Sequence, residues 1–237
     1  FSHLPLARLQ TCPSFVMIAT GSSLNALYFV KSFFQQIQGS PMIQIFDAGE
    51  FLLSDVYLLD QRSCFIFVSQ SGETYDTFAC LETVKKFDDN ILTLGVLNVV
   101  NSLIGRETTF TLDTEAGVEV GVAATKSFTA QVFLLTRFAV WCGSQLSPSL
   151  VCPDLAQIGT VETHARLVAQ SVTASSSILL LASGSLGMAT VMEGALKLKE
   201  LGILHAEGFS VRSLKHGPFA LIDRHMPVVV HVGSEVS

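Results

Sequence analysis

The side chains with the most chemical potential lie in two stretches, and the first is Ser69-Gln70-Ser71-Gly72-Glu73-Thr74. It sets three hydroxyls and a carboxamide around a glycine. Hydroxyls and amides donate hydrogen bonds without adding net charge, and glycine lets the backbone approach a ligand closely. Such a run suits an oxyanion, a phosphate above all. Thr20-Gly21-Ser22-Ser23 and Ser183-Gly184-Ser185 have the same make-up. Each of the three follows an apolar run and precedes a stretch of helical spacing. In a parallel α/β sheet such turns lie at the carboxyl ends of strands, where ligands bind against the partial positive charge of a helix start. Serine and threonine also fill ordinary helix N-caps, and for the two shorter turns that reading stays open. Ser69–Thr74 carries four hydroxyl or amide side chains in six positions, more than a cap uses.

The second stretch is Leu186–Leu204, where Glu193, Lys197 and Glu200 stand at i, i+4 and i+7. At about 100° per residue they fall in one stripe about 60° wide, while Val191, Met192, Ala195, Leu196 and Leu198 fill much of the remaining circumference. A carboxylate beside a lysine in an apolar cleft is what proton abstraction next to a carbonyl requires. An exposed Glu–Lys pair one turn apart is the competing reading. His216 follows in Lys215-His216-Gly217-Pro218. Other chemistries find less support. No turn reads G-x-G-x-x-G or G-x-x-x-x-G-K-[ST], so dinucleotide and nucleoside triphosphate binding are disfavoured. Ser183–Gly187 is one residue short of a hydrolase nucleophile elbow, and Asp223 and His225, two apart, make a poor source of triad partners. No His, Cys, Asp or Glu set has metal-ligand spacing, and no cofactor is expected.

The elements that must position these residues are legible as short apolar runs: Phe15–Ala19, Met42–Phe46, Cys64–Val68, Ile91–Val96, Ile178–Ala182 and a weaker Val228–Val232. Between them, Leu24–Ile37, Glu73–Phe87, Thr125–Trp141 and Leu186–Leu204 have helical spacing, with a further helix expected at Leu155–Gln170. This alternation predicts an α/β protein with parallel sheets flanked by helices. The Ser- and Pro-rich Gly143–Pro153 is the linker candidate, giving two units at 1–147 and 148–237. The units are related. Laying Ala19 on Ala182 matches an apolar strand, a small hydroxyl residue, Gly-Ser and a helix in both. On that alignment the second unit stops about halfway, and the chain starts without a methionine, so it is expected to be part of a longer protein.

Composition sets outer limits. Of 237 residues, 49% are apolar and 14% charged, which excludes intrinsic disorder. The net charge of −6 comes with no basic cluster, which argues against nucleic acid and anionic membrane surfaces as partners. Mean hydropathy is +0.49, yet no apolar run approaches the ~20 residues of a membrane span. Five cysteines without a C-x-x-C pattern read as buried or free thiols in a reducing, cytoplasmic compartment.

Four stretches occur in order: Ser69–Thr74, Gly121-Val122-Ala123-Ala124-Thr125-Lys126, Glu193–Glu200 and Leu214–Pro218. Together they resemble the sugar isomerase (SIS) domains of the glucosamine-6-phosphate synthase family. The resemblance implies a pair of flavodoxin-like subdomains, the second incomplete here. It implies a sugar-phosphate ligand, fructose 6-phosphate, converted with ammonia to glucosamine 6-phosphate. Ser69, Gln70, Ser71 and Thr74 would hold the phosphate with Ser23 nearby, and Val122 would line the sugar. Glu200 would move the proton between C1 and C2, with Lys197 and Glu193 on the same helix face. His216 would assist ring opening from a neighbouring subunit, which implies a homodimer. A glutaminase domain is expected in a full-length relative, and the family's Schiff-base lysine falls beyond residue 237. The chain departs from the family pattern at Thr20, Ala124 and Arg212-Ser213. Three function classes therefore stand at this stage: an isomerase domain, a sugar-phosphate-binding module without turnover, and a ketosamine-6-phosphate deglycase or isomerase.

Overall fold

The computed structural model describes residues 1–37, 40–143, 158–172 and 175–232. The chain divides into two compact units, Phe1–Leu146 and Ser147–Ser237. The boundary expected at 147/148, most of the Gly143–Pro153 linker and the start of the Leu155–Gln170 helix lie outside the described residues.

In the first unit the elements run α1 (Leu6–Gln10), β1 (Ser14–Ala19), α2 (Gly21–Gln36), β2 (Met42–Asp47), α3 (Leu53–Leu58) and β3 (Cys64–Ser69). They continue with α4 (Tyr75–Phe87), β4 (Leu92–Leu97), α5 (Leu103–Glu107), β5 (Phe110–Asp113) and α6 (Lys126–Cys142). The sheet is parallel, in the order β2-β1-β3-β4-β5. β1, β3 and β4 are buried along their whole length, which is why they read as unbroken apolar runs rather than alternating ones. The period of two still sorts their side chains. Phe15, Met17, Ile66 and Val68 join a core with Leu27 and Phe34 of α2 and Leu135 and Phe138 of α6. Val16, Ile18, Phe65 and Phe67 join another with Val56, Leu81, Val84 and Ile104 of α3, α4 and α5. Rings from three elements lock the first core: Phe15 lies 5.9 Å from Phe34 and 5.7 Å from Phe138 between centroids.

The strand order has a consequence for ligands. The connection leaving β1 runs outward to β2, while the one leaving β3 runs the opposite way to β4. Between them, at the carboxyl ends of β1 and β3, is a topological switch point, the crevice where open α/β sheets bind ligands. Thr20–Ser23 and Ser69–Thr74 are the two turns that flank it.

The second unit has α7 (Ile158–Val172), β6 (Ser177–Ala182), α8 (Gly184–Gly202), β7 (His205–Ser210) and β8 (Val228–His231), with 3-10 turns at Leu214–His216 and Pro218–Leu221. Its parallel strands lie in the order β7-β6-β8. This repeats β2-β1-β3 down to the register. Ser14 pairs with Met42 in the first unit, and Ser177 pairs with His205 in the second. The shift that lays Ala19 on Ala182 carries each of the first pair onto the second. Gly208 lets α8 lie close on the sheet, because a Cβ there would come within 3.0 Å of the Val191 backbone.

The expected parallel α/β architecture is therefore present in both units. The structure adds β5 and β7, which a search for apolar runs does not find. β5 is a four-residue edge strand. β7 reads His-Ala-Glu-Gly-Phe-Ser and also lies at an edge, where one side of the strand is unpaired and polar residues are tolerated. The helices α1, α3 and α5 have five or six residues and are too short to show a period. Among the described residues no helix is long and apolar enough to cross a membrane.

A candidate phosphate site and a candidate acid-base helix

The Ser69–Thr74 loop is held from behind by residues 98–104. Gln70 O accepts from the Asn98 amide at 3.2 Å, and Gly72 O accepts from the Ile104 amide at 3.1 Å. The Glu73 carboxylate accepts from the Leu103 amide at 2.9 Å. Gly72 has φ +66°, and a Cβ there would collide with the Ser102 hydroxyl, so only glycine allows this close approach. Two carbonyls that would repel an anion are thus tied to the next segment of the chain.

The hydroxyls are arranged in the opposite sense. Ser71 Oγ accepts from the Glu73 amide at 3.1 Å, and Ser69 Oγ accepts from the Gly72 amide at 3.0 Å. A hydroxyl that accepts keeps its own proton to give. Ser71 therefore has a proton for an outside acceptor. Ser69 and Thr74 share one hydrogen bond of 2.8 Å between their hydroxyls. Whichever of the two donates, the pair retains one proton for a ligand.

Across the switch point, Gly21 opens α2 with φ +59°, and the Thr20 side chain makes no cap hydrogen bond. Ser23, in the first turn of α2, accepts from Gln131 Nε2 of α6 at 3.0 Å. Val122 lies in the loop before α6 and is fully exposed. That loop is pinned at two points. Asn98 Nδ2 donates to Gly117 O at 2.7 Å. The Glu119 carboxylate accepts from the Thr125 amide and hydroxyl, both at 2.8 Å, and from the Ser127 hydroxyl. Burial by itself would raise the Glu119 pKa. The hydrogen bonds from Ser127 and Thr125 outweigh it and hold the carboxyl at about 2.

In the second unit, α8 begins at Gly184 with φ +73° behind an uncapped Ser183, as α2 begins behind Thr20. Farther along, Lys197 Nζ lies 3.3 Å from Glu193 Oε1 and 2.5 Å from Glu200 Oε2. Glu193 is 7% exposed on the buried face with Val191 and Ala195. The three charges thus form one connected stripe that runs from the packed face toward solvent. His216 is exposed at the end of a 3-10 turn, followed by Gly217 at φ +140°. Asp223 Oδ1 accepts from the His225 amide at 2.7 Å, a local turn contact rather than a triad bond to the imidazole. Cys12, Cys64, Cys80 and Cys142 are free and buried, and Cys152 lies outside the described residues. Burial raises the thiol pKa values of Cys80 and Cys142 to about 11 and about 12. Among the described residues no group of His, Cys, Asp and Glu could hold a metal ion.

The SIS domain description matches residues 8–141, the span that carries the switch-point turns. The chain belongs to the SIS domain family. Among curated proteins, this SIS chain is 40% identical over 224 residues to the glutamine–fructose-6-phosphate aminotransferase (isomerizing) of Aquifex aeolicus, covering 91% of this chain and 36% of that protein. It is 34% identical to the isomerizing aminotransferase 1 of Rattus norvegicus, covering 95% of this chain and 34% of the relative. The chain therefore spans about a third of the length of the curated relatives it matches. Among solved structures, the C-terminal domain of glucosamine-fructose-6-phosphate aminotransferase from Francisella tularensis matches with a TM-score of 0.82 at 29% identity, over 98% of this chain and 68% of that one. Tagatose-6-phosphate ketose/aldose isomerase from Escherichia coli shares the fold at 20% identity, with a TM-score of 0.72 over 98% of this chain and 65% of that one.

The SIS fold sets Ser23 and Ser69–Thr74 at the carboxyl ends of β1 and β3, Val122 in the loop before α6, and Glu193, Lys197 and Glu200 on one face of α8. Two polar residues at the first-unit site, Glu119 and Gln131, were not singled out from sequence. Gln131 did leave a signal: with Ser127, Leu135 and Phe138 it forms the buried stripe of α6, and a carboxamide in such a stripe needs a partner.

The low Glu119 pKa fixes the sign of a pH effect. A depressed carboxyl pKa contributes stability above its unfolded value, here the ordinary 4.5, and loses it as pH falls toward about 2. The stability advantage of the natural chain over Glu119→Gln is expected to shrink steadily across that window in urea melts. An advantage that does not change with pH would show that the carboxylate charge is not what anchors the loop.

Proposed function

We propose that this SIS chain binds the phosphate of fructose 6-phosphate at the switch point of its first unit. Within a protein of its relatives' length, it would serve the isomerase half of a glutamine–fructose-6-phosphate aminotransferase. The observation that carries the reading is the donor set of Ser71 and the Ser69–Thr74 pair, with Ser23 across the crevice, on turns where the Gln70 and Gly72 carbonyls are tied back to residues 98–104. Gln70 adds a carboxamide to the same loop, and the exposed Val122 would flank the sugar. The names of the similar proteins supply the substrate class.

For the chemistry, the Glu200 carboxylate takes the proton from C1 of the open-chain sugar and returns it at C2. Lys197 holds that carboxylate and balances its charge, and Glu193 fixes Lys197 from the buried side. The reading includes a homodimer in which His216 of one copy assists ring opening in the other. It also includes a cytoplasmic setting and a glutaminase domain in the full-length protein that supplies ammonia. Sugar-phosphate binding without turnover is the second reading, and one observation favours it. Glu200 Oε2 is engaged by Lys197 at 2.5 Å, which leaves only Oε1 of that carboxylate to accept a proton.

Two experiments separate these readings. In calorimetry, Ser71→Ala and Thr74→Ala should each weaken fructose 6-phosphate binding by about 1–3 kcal/mol, the worth of a hydrogen bond to a charged group. Unchanged affinity in both variants would remove the loop from the site. In a protein of the relatives' full length, Glu200→Gln should lower isomerase or synthase turnover by about 10²–10⁴-fold while sparing sugar-phosphate affinity. Normal turnover in that variant would return Glu200 to a helix-surface ion pair.

A further inference from the structure

We propose that Gln131 is a positioning residue that sets the direction of the Ser23 hydroxyl proton, turning it out of the protein toward an oxygen of the bound sugar phosphate. The inference rests on the switch-point site proposed above and adds a residue to it.

Gln131 lies in the middle of α6, a helix whose buried side is otherwise built for packing. It is 1% exposed and shares its stripe with Leu135 and Phe138, which pack into the aromatic core of the first unit. An apolar side chain of similar length would fill this position without burying a carboxamide, which is costly when left incompletely paired. The pairing here is incomplete. Nε2 donates to Ser23 Oγ at 3.0 Å, while Oε1 is buried with no hydrogen-bond partner among the described residues. The hydrogen bond to Ser23 is thus the contact that accounts for an amide at this place.

What that contact does follows from hydroxyl chemistry. A serine hydroxyl has one proton and two acceptor positions. When an N–H from inside the protein takes an acceptor position, the proton is left for an acceptor outside. Ser23 belongs to the turn after β1, on the crevice between β1 and β3. The loop across that crevice treats Ser71 in the same way, with the amide of Glu73 as the inner donor. Among the described residues no loop amide does this for Ser23 in the first turn of α2; the side chain of a residue 108 positions away does. Gln131 thus stands in for the backbone donor that the Ser69–Thr74 loop supplies to itself.

A double-mutant cycle on the 237-residue chain tests this, read as the dissociation constant for fructose 6-phosphate by calorimetry, with thermal melts reporting folding separately. Gln131→Met keeps the length and removes the donor. It should weaken binding by about three- to tenfold, the worth of one hydrogen bond, and by less than about twofold when Ser23 is already alanine, the margin within which uncoupled changes add. If Gln131→Met does not fold, Gln131→Leu serves instead. It also carries no donor for Ser23, and its effect must again shrink in the Ser23→Ala background. Equal losses in the two backgrounds, or no loss in either, would overturn the inference and place Gln131 among residues that matter only for packing. That outcome leaves the site itself intact if Ser71→Ala still weakens binding. Failure of the natural chain to bind either fructose 6-phosphate or glucosamine 6-phosphate would instead overturn the site, and the role of Gln131 with it.

Discussion

The candidate phosphate site depends on one constraint: a hydroxyl has a single proton, and whatever occupies its acceptor side decides where that proton points. In the first unit the inner donors are the Gly72 and Glu73 amides and the Gln131 carboxamide, and the hydroxyls they fix belong to Ser69, Ser71 and Ser23. Hydroxyls set in this way offer hydrogen-bond donors to an anion without themselves adding positive charge. This reconciles a phosphate ligand with a chain of net charge −6. The partial positive charge at the helix start behind each turn acts in the same direction.

The fold is what brings these donors together. Opposite connections leaving β1 and β3 open the crevice, and the buried strands on either side hold its floor rigid. Residues 98–104 grip the back of the loop through the carbonyls of Gln70 and Gly72, and Gly72 permits the approach because Ser102 fills the space a Cβ would need. The second unit repeats the first three strands in the same order and register but spends its helix differently. Where α2 presents Ser23 near its start, α8 carries Glu193, Lys197 and Glu200 along its length. One supersecondary unit used twice thus offers a hydroxyl-bearing turn in one copy and a charged helix face in the other.

Much of this was legible in the sequence, for identifiable reasons. Strands buried on both faces announce themselves as apolar runs, so β1, β3, β4 and β6 were found within a residue or so. The repeat was visible because Ala-Thr-Gly-Ser and Ala-Ser-Gly-Ser close equivalent strands. Edge strands β5 and β7 and the shortest helices were missed, since neither a period of two nor one of 3.6 can establish itself in so few or so polar residues. At the candidate site, hydroxyl density located the loop and helical spacing located the charged stripe. The support for those side chains was harder to see. Gln131 reaches Ser23 across 108 residues, and Glu119 clamps its loop through contacts that no spacing rule encodes.

The most direct measurement is a two-dimensional amide spectrum of the chain titrated with fructose 6-phosphate, inorganic phosphate and fructose. The account predicts that fructose 6-phosphate and inorganic phosphate shift the same signals, those of residues 21–23 and 69–74, and that fructose leaves them in place. Equal shifts from fructose, or principal shifts outside those two turns, would contradict a phosphate site at the β1/β3 switch point.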